Sequence, residues 1–474
     1  NTGNKPLKLE FDTPMTRAEL KASLSLALIY MLRMLGMFLI LPVFAVLARN
    51  LPDASPFLVG LAISAYGLTQ AIFQIPFGLW SDRWGRKPVI AFGLLLFVGG
   101  SVIAALSDSI LGIILGRSLQ GAGAVAAVVM ALAADLTREE HRTKAMALIG
   151  ISIGISFSVS MILGPVLSNW FGLKGIFWII TALAALSLLV LIWVVPTPKR
   201  VSFHREAQLN RATIGRVIRH PELLRLDFGI FSLHLMLTAL FVALPQILRD
   251  QLNLETRDHW HLYLPVFLIA MVAMVPFVIL AEKKRKMKSV FLAFIGLIGL
   301  AELGFAWLDE SYWAIFALLC LFFTGFNLLE ATLPSMVSKV APPDLKGTAM
   351  GIYSTAQFLG AFIGGTSAGW LYGHQGPQAV FWFAAGMAFT WWFVAFSMKP
   401  PRHVSTLMVG LRPIEDQERI TLQRALLACP GMAEAWVAGE EQVAYLKVDK
   451  TLLKQEILED ILDPYLKTEP DSIG

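Results

Sequence analysis

The stretch Gly78-Leu79-Trp80-Ser81-Asp82-Arg83-Trp84-Gly85-Arg86-Lys87 is polar and lies between two long apolar runs, roughly residues 57–77 and 89–106. Each run is long enough to cross a hydrocarbon core, so the polar stretch reads as a tight loop at a membrane face. The two glycines allow a sharp turn, and Gly78 lets a neighbouring helix come close. Asp82, Arg83, Arg86 and Lys87 place one carboxylate and three cations within six residues. A loop that merely orients the chain accounts for the cations. It accounts neither for Asp82 nor for the glycine spacing.

Outward from this loop, the composition is that of a multi-span membrane protein. The 474 residues are 56% hydrophobic and 15% charged, with a mean hydropathy of +0.64, whereas soluble domains carry about a quarter charged residues. Apolar runs predict helices near 24–46, 57–79, 89–106, 110–133, 145–167 and 175–195. A second set is predicted near 226–248, 261–281, 289–307, 312–337, 347–371 and 378–398. Loops on one face hold thirteen Lys and Arg, those on the other only Arg49, Lys174, Arg249 and Arg257. That asymmetry predicts both termini in the cytoplasm, and it explains the pI near 9.1 without nucleic acid. The polar segment 1–23 has no cleavage signature, so the first helix is expected to be retained.

The sequence repeats itself weakly. Pro76-Phe77 followed by Asp82, Arg83 and Arg86 recurs as Pro276-Phe277, Glu282, Lys283 and Lys286, without the glycines; Leu41-Pro42 matches Leu244-Pro245. Two six-helix halves, 24–195 and 226–399, are therefore expected, with a substrate cavity between them near the bilayer midplane. The basic linker 196–225 places Ile214, Val217 and Ile218 on one helical face, which predicts an amphipathic helix on the inner leaflet. After Pro400-Pro401 the composition becomes that of a soluble domain, 403–474. Strand, helix, hairpin and helix signals give a βαββα order, a ferredoxin-like half-sandwich without a clear last strand.

The pattern G-x-x-x-D-R-x-G-R-K at 78–87 resembles the loop motif between the second and third helices of the major facilitator superfamily, and the resemblance spans roughly residues 20–399. It implies a secondary transporter: an all-α membrane fold of twelve helices in two pseudo-symmetric halves, here followed by the small α+β domain. It also implies a conformational role for Gly78, Asp82, Arg83, Gly85, Arg86 and Lys87. Arg86 is expected to pair with Asp135, and Asp82 to face the start of the eleventh helix while the inner gate is shut. Leu115-Gly-Arg-Ser-Leu-Gln-Gly121 resembles the helix-4 motif of drug/proton antiporters, whose arginine serves proton coupling; here that residue is Arg117. Leu163-Gly164-Pro165-Val166-Leu167 only partly resembles the antiporter motif of helix 5, since Ser168-Asn169 replace its last glycines. The tail narrows the resemblance to bacterial members that carry such a cytoplasmic domain. It looks like heavy-metal-associated folds but lacks C-x-x-C, so no metal is expected there; Cys429 reads as structural.

Charged groups inside spans are costly and usually face a cavity or a partner. Arg33 and Arg117 are expected to line the cavity from the first half, with Tyr66 and Gln70 beside them. In the second half Glu330, flanked by Asn327, reads as the proton carrier, with His234 and Gln357 near it. Glu302, six residues from the end of its helix, is expected to be solvated.

No phosphate-binding G-x-x-x-x-G-K-[ST] loop occurs, which argues against an ATPase, and no enzymatic activity is expected. The expected function is proton-coupled efflux of a small molecule across a bacterial inner membrane by alternating access. The proton gradient is then the energy source and no cofactor is needed. Partners are the substrate, protons and lipid. A monomer is expected, with weak association through the tail domain left open. A facilitator or importer without proton coupling, and a ligand sensor signalling through its tail, are the alternatives.

Overall fold

The computed structural model describes residues 14–138, 141–198, 211–307, 311–342 and 345–466. The first half comprises α1 (Arg17–Phe38), α2 (Phe44–Ala48), α3 (Pro56–Trp84), α4 (Arg86–Leu106), α5 (Ile110–Ala122), α6 (Ala126–Leu136) and α7 (Arg142–Trp193). A short α8 (Arg211–Ile218) leads to the second half: α9 (Pro221–Asp250), α10 (Trp260–Lys283), α11 (Met287–Trp307), α12 (Tyr312–Val340), α13 (Lys346–Gln375) and α14 (Pro377–Phe396).

Among the described residues ten helices are long and apolar enough to cross a membrane. The run 144–193 counts once among them although about 75 Å of helix would cross twice. It turns at Gly172, whose φ of 68° and ψ of −174° are non-helical, and this separates two arms. The glycine-rich α13 is less apolar yet as long as its neighbours. With α1–α2 and α5–α6 each forming one crossing, the described residues make twelve. The halves repeat one packing scheme: α1 on α7 matches α9 on α13, α3 on α5 matches α10 on α12, and α4 on α7 matches α11 on α14.

Local chemistry sets the helix ends. Ser55, Ser109 and Ser311 each accept a backbone N–H of the first turn, and Pro56 follows Ser55 at the first helical position. The first helix starts at Arg17 rather than at 24, because Thr16 and Glu19 form a reciprocal capping box ahead of the apolar run. Its apolar run does not stay one helix: residues 39–43 around Pro42 break it before α2. Likewise the expected helix 110–133 is interrupted between α5 and α6 at Gly123, whose packing against the Gly93 carbonyl leaves no room for a side chain. Of the linker, 199–210 lies outside the described residues. In α8 Val217 is buried whereas Ile218 is half exposed, so the expected three-residue apolar face is only partly used. The side chains of Glu282 and Lys283, the charged part of the repeat, also lie outside the described set.

The tail folds as β1 (Ser405–Gly410), α15 (Asp416–Ala428), β2 (Met432–Ala438), β3 (Val443–Val448) and α16 (Gln455–Leu462). The sheet is antiparallel in the order β1-β3-β2, with Leu407 opposite Leu446 and Trp436 opposite Tyr445. Leu422, Leu426, Leu458 and Leu462 of the two helices pack on Val437, Leu446 and Val448 of one face. A single bridge between Leu411 and Leu466 lies beside β1, the edge where a fourth strand of a ferredoxin-like sheet pairs. The domain is docked on the second half. Lys447 Nζ donates to the carbonyls of Lys339, at 3.0 Å, and Ala341 at the end of α12. Arg285, in the loop between α10 and α11, meets Asp449 at 3.1 Å and Thr451 at 2.8 Å.

Candidate transport pathway

The loop between α3 and α4 defines one end of the bundle, called here the motif face. Gly85 at φ 97° ends α3 and begins α4. That turn brings Arg86 inward, where it is 2% exposed. Its Nε donates to Asp135 at 3.0 Å, and its Nη1 donates to Asp82 at 2.5 Å and to Ser81 at 2.6 Å. The Asp135 carboxylate at the end of α6 is itself wholly buried. Lys87 donates to the Val195 carbonyl at 2.8 Å, tying α4 to the end of α7, and Arg83 points to the exterior. Asp82 is thus held by Arg86 of its own half, and no contact of Asp82 with α13 is among the described interactions.

The halves meet on the side remote from the motif face. Gly60 of α3 lies against Gly365 and Gly369 of α13, Gly67 against the Phe358 carbonyl and Gly373 against Pro56. Ser64 and Thr366 share a hydrogen bond of 3.2 Å between the same helices. Arg49 and Asp250 form a two-point ion pair across the halves, at 2.5 and 2.9 Å. At mid-depth Phe157 of α7 sits among Phe241, Phe267, Phe323 and Phe326 of the second half, with ring centroids 5.7–6.3 Å away. Nearer the motif face Gly78 on α3 and Gly150 and Gly154 on α7 have open space beside them. The described contacts therefore close the interface on one side and leave it parted on the other.

The polar residues of the first half stand inside it rather than on an open cavity wall. Arg117 is 1% exposed. It donates to the Ala62 and Ile63 carbonyls of α3 and to Gln120, and lies over the Tyr66 ring at 4.6 Å. This full set of partners within its own half is why it does not reach into the interface. Arg33 is equally buried and donates from one nitrogen to Gln70 at 3.1 Å and to the Gly123 carbonyl at 3.0 Å. The carbonyl is available because the chain is non-helical between α5 and α6. The other two guanidinium nitrogens of Arg33 have no partner.

The second half brings three expected residues together. Nε2 of His234 on α9 lies 3.0 Å from Glu330 Oε2 on α12 and 3.0 Å from Gln357 Nε2 on α13. The Glu330 side chain is 34% exposed, so this cluster faces the parted interface; Asn327, one turn away on α12, is half-buried. A ring nitrogen has one in-plane position, occupied by a proton or a lone pair. Protonated, Nε2 donates to the Glu330 carboxylate. Unprotonated, it accepts from the Gln357 amide or from a protonated Glu330. The geometry serves both states with little movement.

Two acids depart from the sequence reading. Glu302 is not solvated: it is fully buried and neither oxygen has a partner. It lies on the face of α11 that buries Ile298, Ala301 and Phe305, and helical phase outweighs closeness to the helix end. Asp227, 7% exposed on α9 with an unpartnered Oδ2, is absent from the sequence candidates. Its signal was its position seven residues before His234, on the same helical face. Among the described residues no group of three or more His, Cys, Asp or Glu could hold a metal ion.

Comparison with known proteins agrees with this architecture. The Major Facilitator Superfamily model matches residues 26–365. The chain is 48% identical over 451 residues to the inner membrane transport protein YajR of Escherichia coli (strain K12), covering 95% of this chain and 99% of that one. It is 23% identical to the multidrug resistance protein MdtH of Klebsiella pneumoniae (strain 342), over 72% of this chain and 84% of that one. Among solved structures, a bacterial homologue of the human lysosomal transporter Spinster superposes with a TM-score of 0.67 at 14% identity, covering 81% of this chain and 98% of that one. With its paired six-helix halves and its motif at 78–87, the chain belongs to the major facilitator superfamily of membrane transporters.

Proposed function

We propose that the protein exports a small molecule by alternating access, driven by proton entry. The carrying observation is the His234–Glu330–Gln357 cluster, which sets an imidazole in hydrogen-bond contact with a carboxyl at mid-depth beside the parted interface. Similarity to YajR supports transport, and the more distant similarity to MdtH supports efflux. In this reading the motif face is cytoplasmic and both termini lie there, which the excess of Lys and Arg in its loops supports. The described arrangement is then the inward-facing state. Asp82 acts as a latch: paired with Arg86 here, it meets the positive end of α13 when the inner side closes. The proton gradient is the energy source, and no cofactor takes part.

The test uses purified full-length protein in proteoliposomes and a compound first found to stabilise it in a thermal-shift screen. An imposed pH gradient is expected to drive uphill flux, and Glu330→Gln to abolish it while leaving folding intact. Flux indifferent to the gradient and to Glu330→Gln overturns proton coupling in favour of a facilitator. Binding without any flux favours a sensor.

A further inference from the structure

Asp227 on α9 and Tyr353 on α13 belong to two of the most intimately packed helices of the second half. At 1.5 Å per residue both lie about 10 Å in from the motif ends of their helices. Glu330, Gln357 and His234 lie deeper, at about 15–20 Å on the same measure. Asp227 is 7% and Tyr353 3% exposed, and each has a buried oxygen, Oδ2 and the phenol, without a hydrogen-bond partner. Gly360 lies against Phe231 and Gly364 against Leu235, a register that sets Tyr353 within one turn of the level of Asp227 and one turn from Gln357, the partner of His234. A buried, unpartnered carboxylate oxygen and a buried, unpartnered hydroxyl on two packed helices are each costly unless water bridges them.

No described cation compensates Asp227. On its own helix Arg225 is engaged by Glu222 at 2.7 Å and, just past the end of α14, by Ser397. From α14 the nearby polar group is the Trp391 indole, packed beside Gly229; Lys339 near the motif end of α12 and Lys346 at the start of α13 have interactions of their own. α8 presents the apolar Val217 and carries Arg216, which is engaged elsewhere. The acid of α3 at the motif end, Asp82, is held by Arg86, and Arg83 beside it is exposed. Toward the far end of α9, Arg49 and Asp250 pair with each other and Arg249 pairs with Glu255.

We infer that Asp227 and Tyr353 form a second proton station, lying inside the second half between the motif face and the Glu330–His234 pair. This rests on the proton-coupled reading above and gives it a route that does not pass through the substrate gap. A proton from water at the motif face binds Asp227 Oδ2. The Tyr353 hydroxyl accepts it through one bridging water while releasing its own proton through another towards Glu330. Asp227 returns to its carboxylate and Glu330 gains one proton, so charge and atoms balance. The reverse sequence releases a proton to the same face.

Infrared difference spectroscopy of the full-length protein in liposomes, titrated in H2O and D2O, tests this without a substrate. Among the bands of its other acids, buried Glu302 included, wild type is expected to show one titrating carboxyl band that is lost in Asp227→Asn and one that is lost in Glu330→Gln. Asp227→Asn should remove one and move the midpoint of the Glu330 band by on the order of one pH unit. Asp227→Glu should restore both. Tyr353→Phe should keep both bands and end their mutual influence, an outcome that mere packing would not produce. An unmoved Glu330 midpoint in Asp227→Asn, or coupling that persists in Tyr353→Phe, overturns the station. If instead Glu330→Gln removes no titrating band and flux ignores the gradient, the proton-coupled reading fails independently of Asp227.

Discussion

A guanidinium buried as completely as that of Arg86 persists chiefly because the wholly buried Asp135 meets it, with the partly exposed Asp82 adding a second contact. Removing one member of a buried pair leaves the other charge stranded, at a cost of about 3–5 kcal/mol. Arg86→Gln is therefore expected to lower the thermal midpoint sharply, and Arg86→Lys to recover little, since an ammonium cannot reproduce the fork that reaches both carboxylates. Asp82 differs, with a side chain that is 17% exposed and a partner that keeps Asp135 after its removal. Asp82→Asn is expected to leave the melting temperature nearly unchanged and to enlarge the inward-facing population. A differential loss of about 1.4 kcal/mol would give a tenfold shift. Spin labels at the motif ends of α3 and α13 measure it, and a wild-type distance distribution in Asp82→Asn would contradict the latch. At this scale the sequence exposes charge but not direction. Glu330, His234 and Gln357 stand out because polar groups in apolar runs need a reason. Nothing in the letters says that Arg117 turns to the carbonyls of α3, or that Glu302 turns inward, because a side chain's azimuth depends on neighbouring helices.

Between elements, the remote closure of the interface rests on two unlike contacts. The Arg49–Asp250 pair has side chains 31% and 46% exposed, and pairs of that kind contribute about 0–1 kcal/mol. Arg49→Gln is thus expected to change the balance of states by fivefold at most. The packing of α3 on α13 is stricter, because a Cβ at Gly60 would run into the Gly365 carbonyl and the backbone of Gly369. Gly60→Val should wedge these helices apart and favour the outward-facing state far more than loss of the ion pair does. Cysteine accessibility on the remote ends of α3 and α13 reads this directly. Equal accessibility in Gly60→Val and wild type would show that the helices separate elsewhere. The twelve crossings were legible because an apolar run of about 20 residues has few alternatives in a membrane. Their interruptions at Pro42 and Gly123 were less so. Pro245 sits at the matching place in α9 without breaking it, so proline alone does not specify a break.

For the whole molecule, the tail domain is anchored to the helix that carries Glu330. Lys447 caps the end of α12, where unpaired carbonyls concentrate partial negative charge. In sequence Lys447 looks like any strand lysine and Arg285 like any loop cation. Their joint role appears only once the sheet is set against the bundle. Burial lowers the Lys447 pKa below its ordinary value near 10.5, with Glu434 opposing part of that shift. Undocking returns the ammonium to water and to its ordinary value, so the undocked state binds the proton more tightly. Docking is therefore expected to strengthen as pH rises through the interval between the lowered value and about 10.5. Below that interval the Lys447 contribution is constant, the desolvation of the ammonium being partly offset by the carbonyls it caps. On the acid side Asp449 acts oppositely. Thr451 first, and Arg285 less strongly, hold its pKa below the usual carboxylate range, and only the Arg285 share belongs to docking. That share is lost as pH falls through the lowered value. Fluorescence transfer between labels on the tail and on the loop between α10 and α11, followed from about pH 2 to 11, measures both limbs. Lys447→Met should remove the alkaline limb while leaving the acid one, and Arg285→Gln should do the reverse. A docking equilibrium flat in pH for the wild type, or an alkaline limb that survives Lys447→Met, would mean that apolar packing of the sheet alone holds the tail in place.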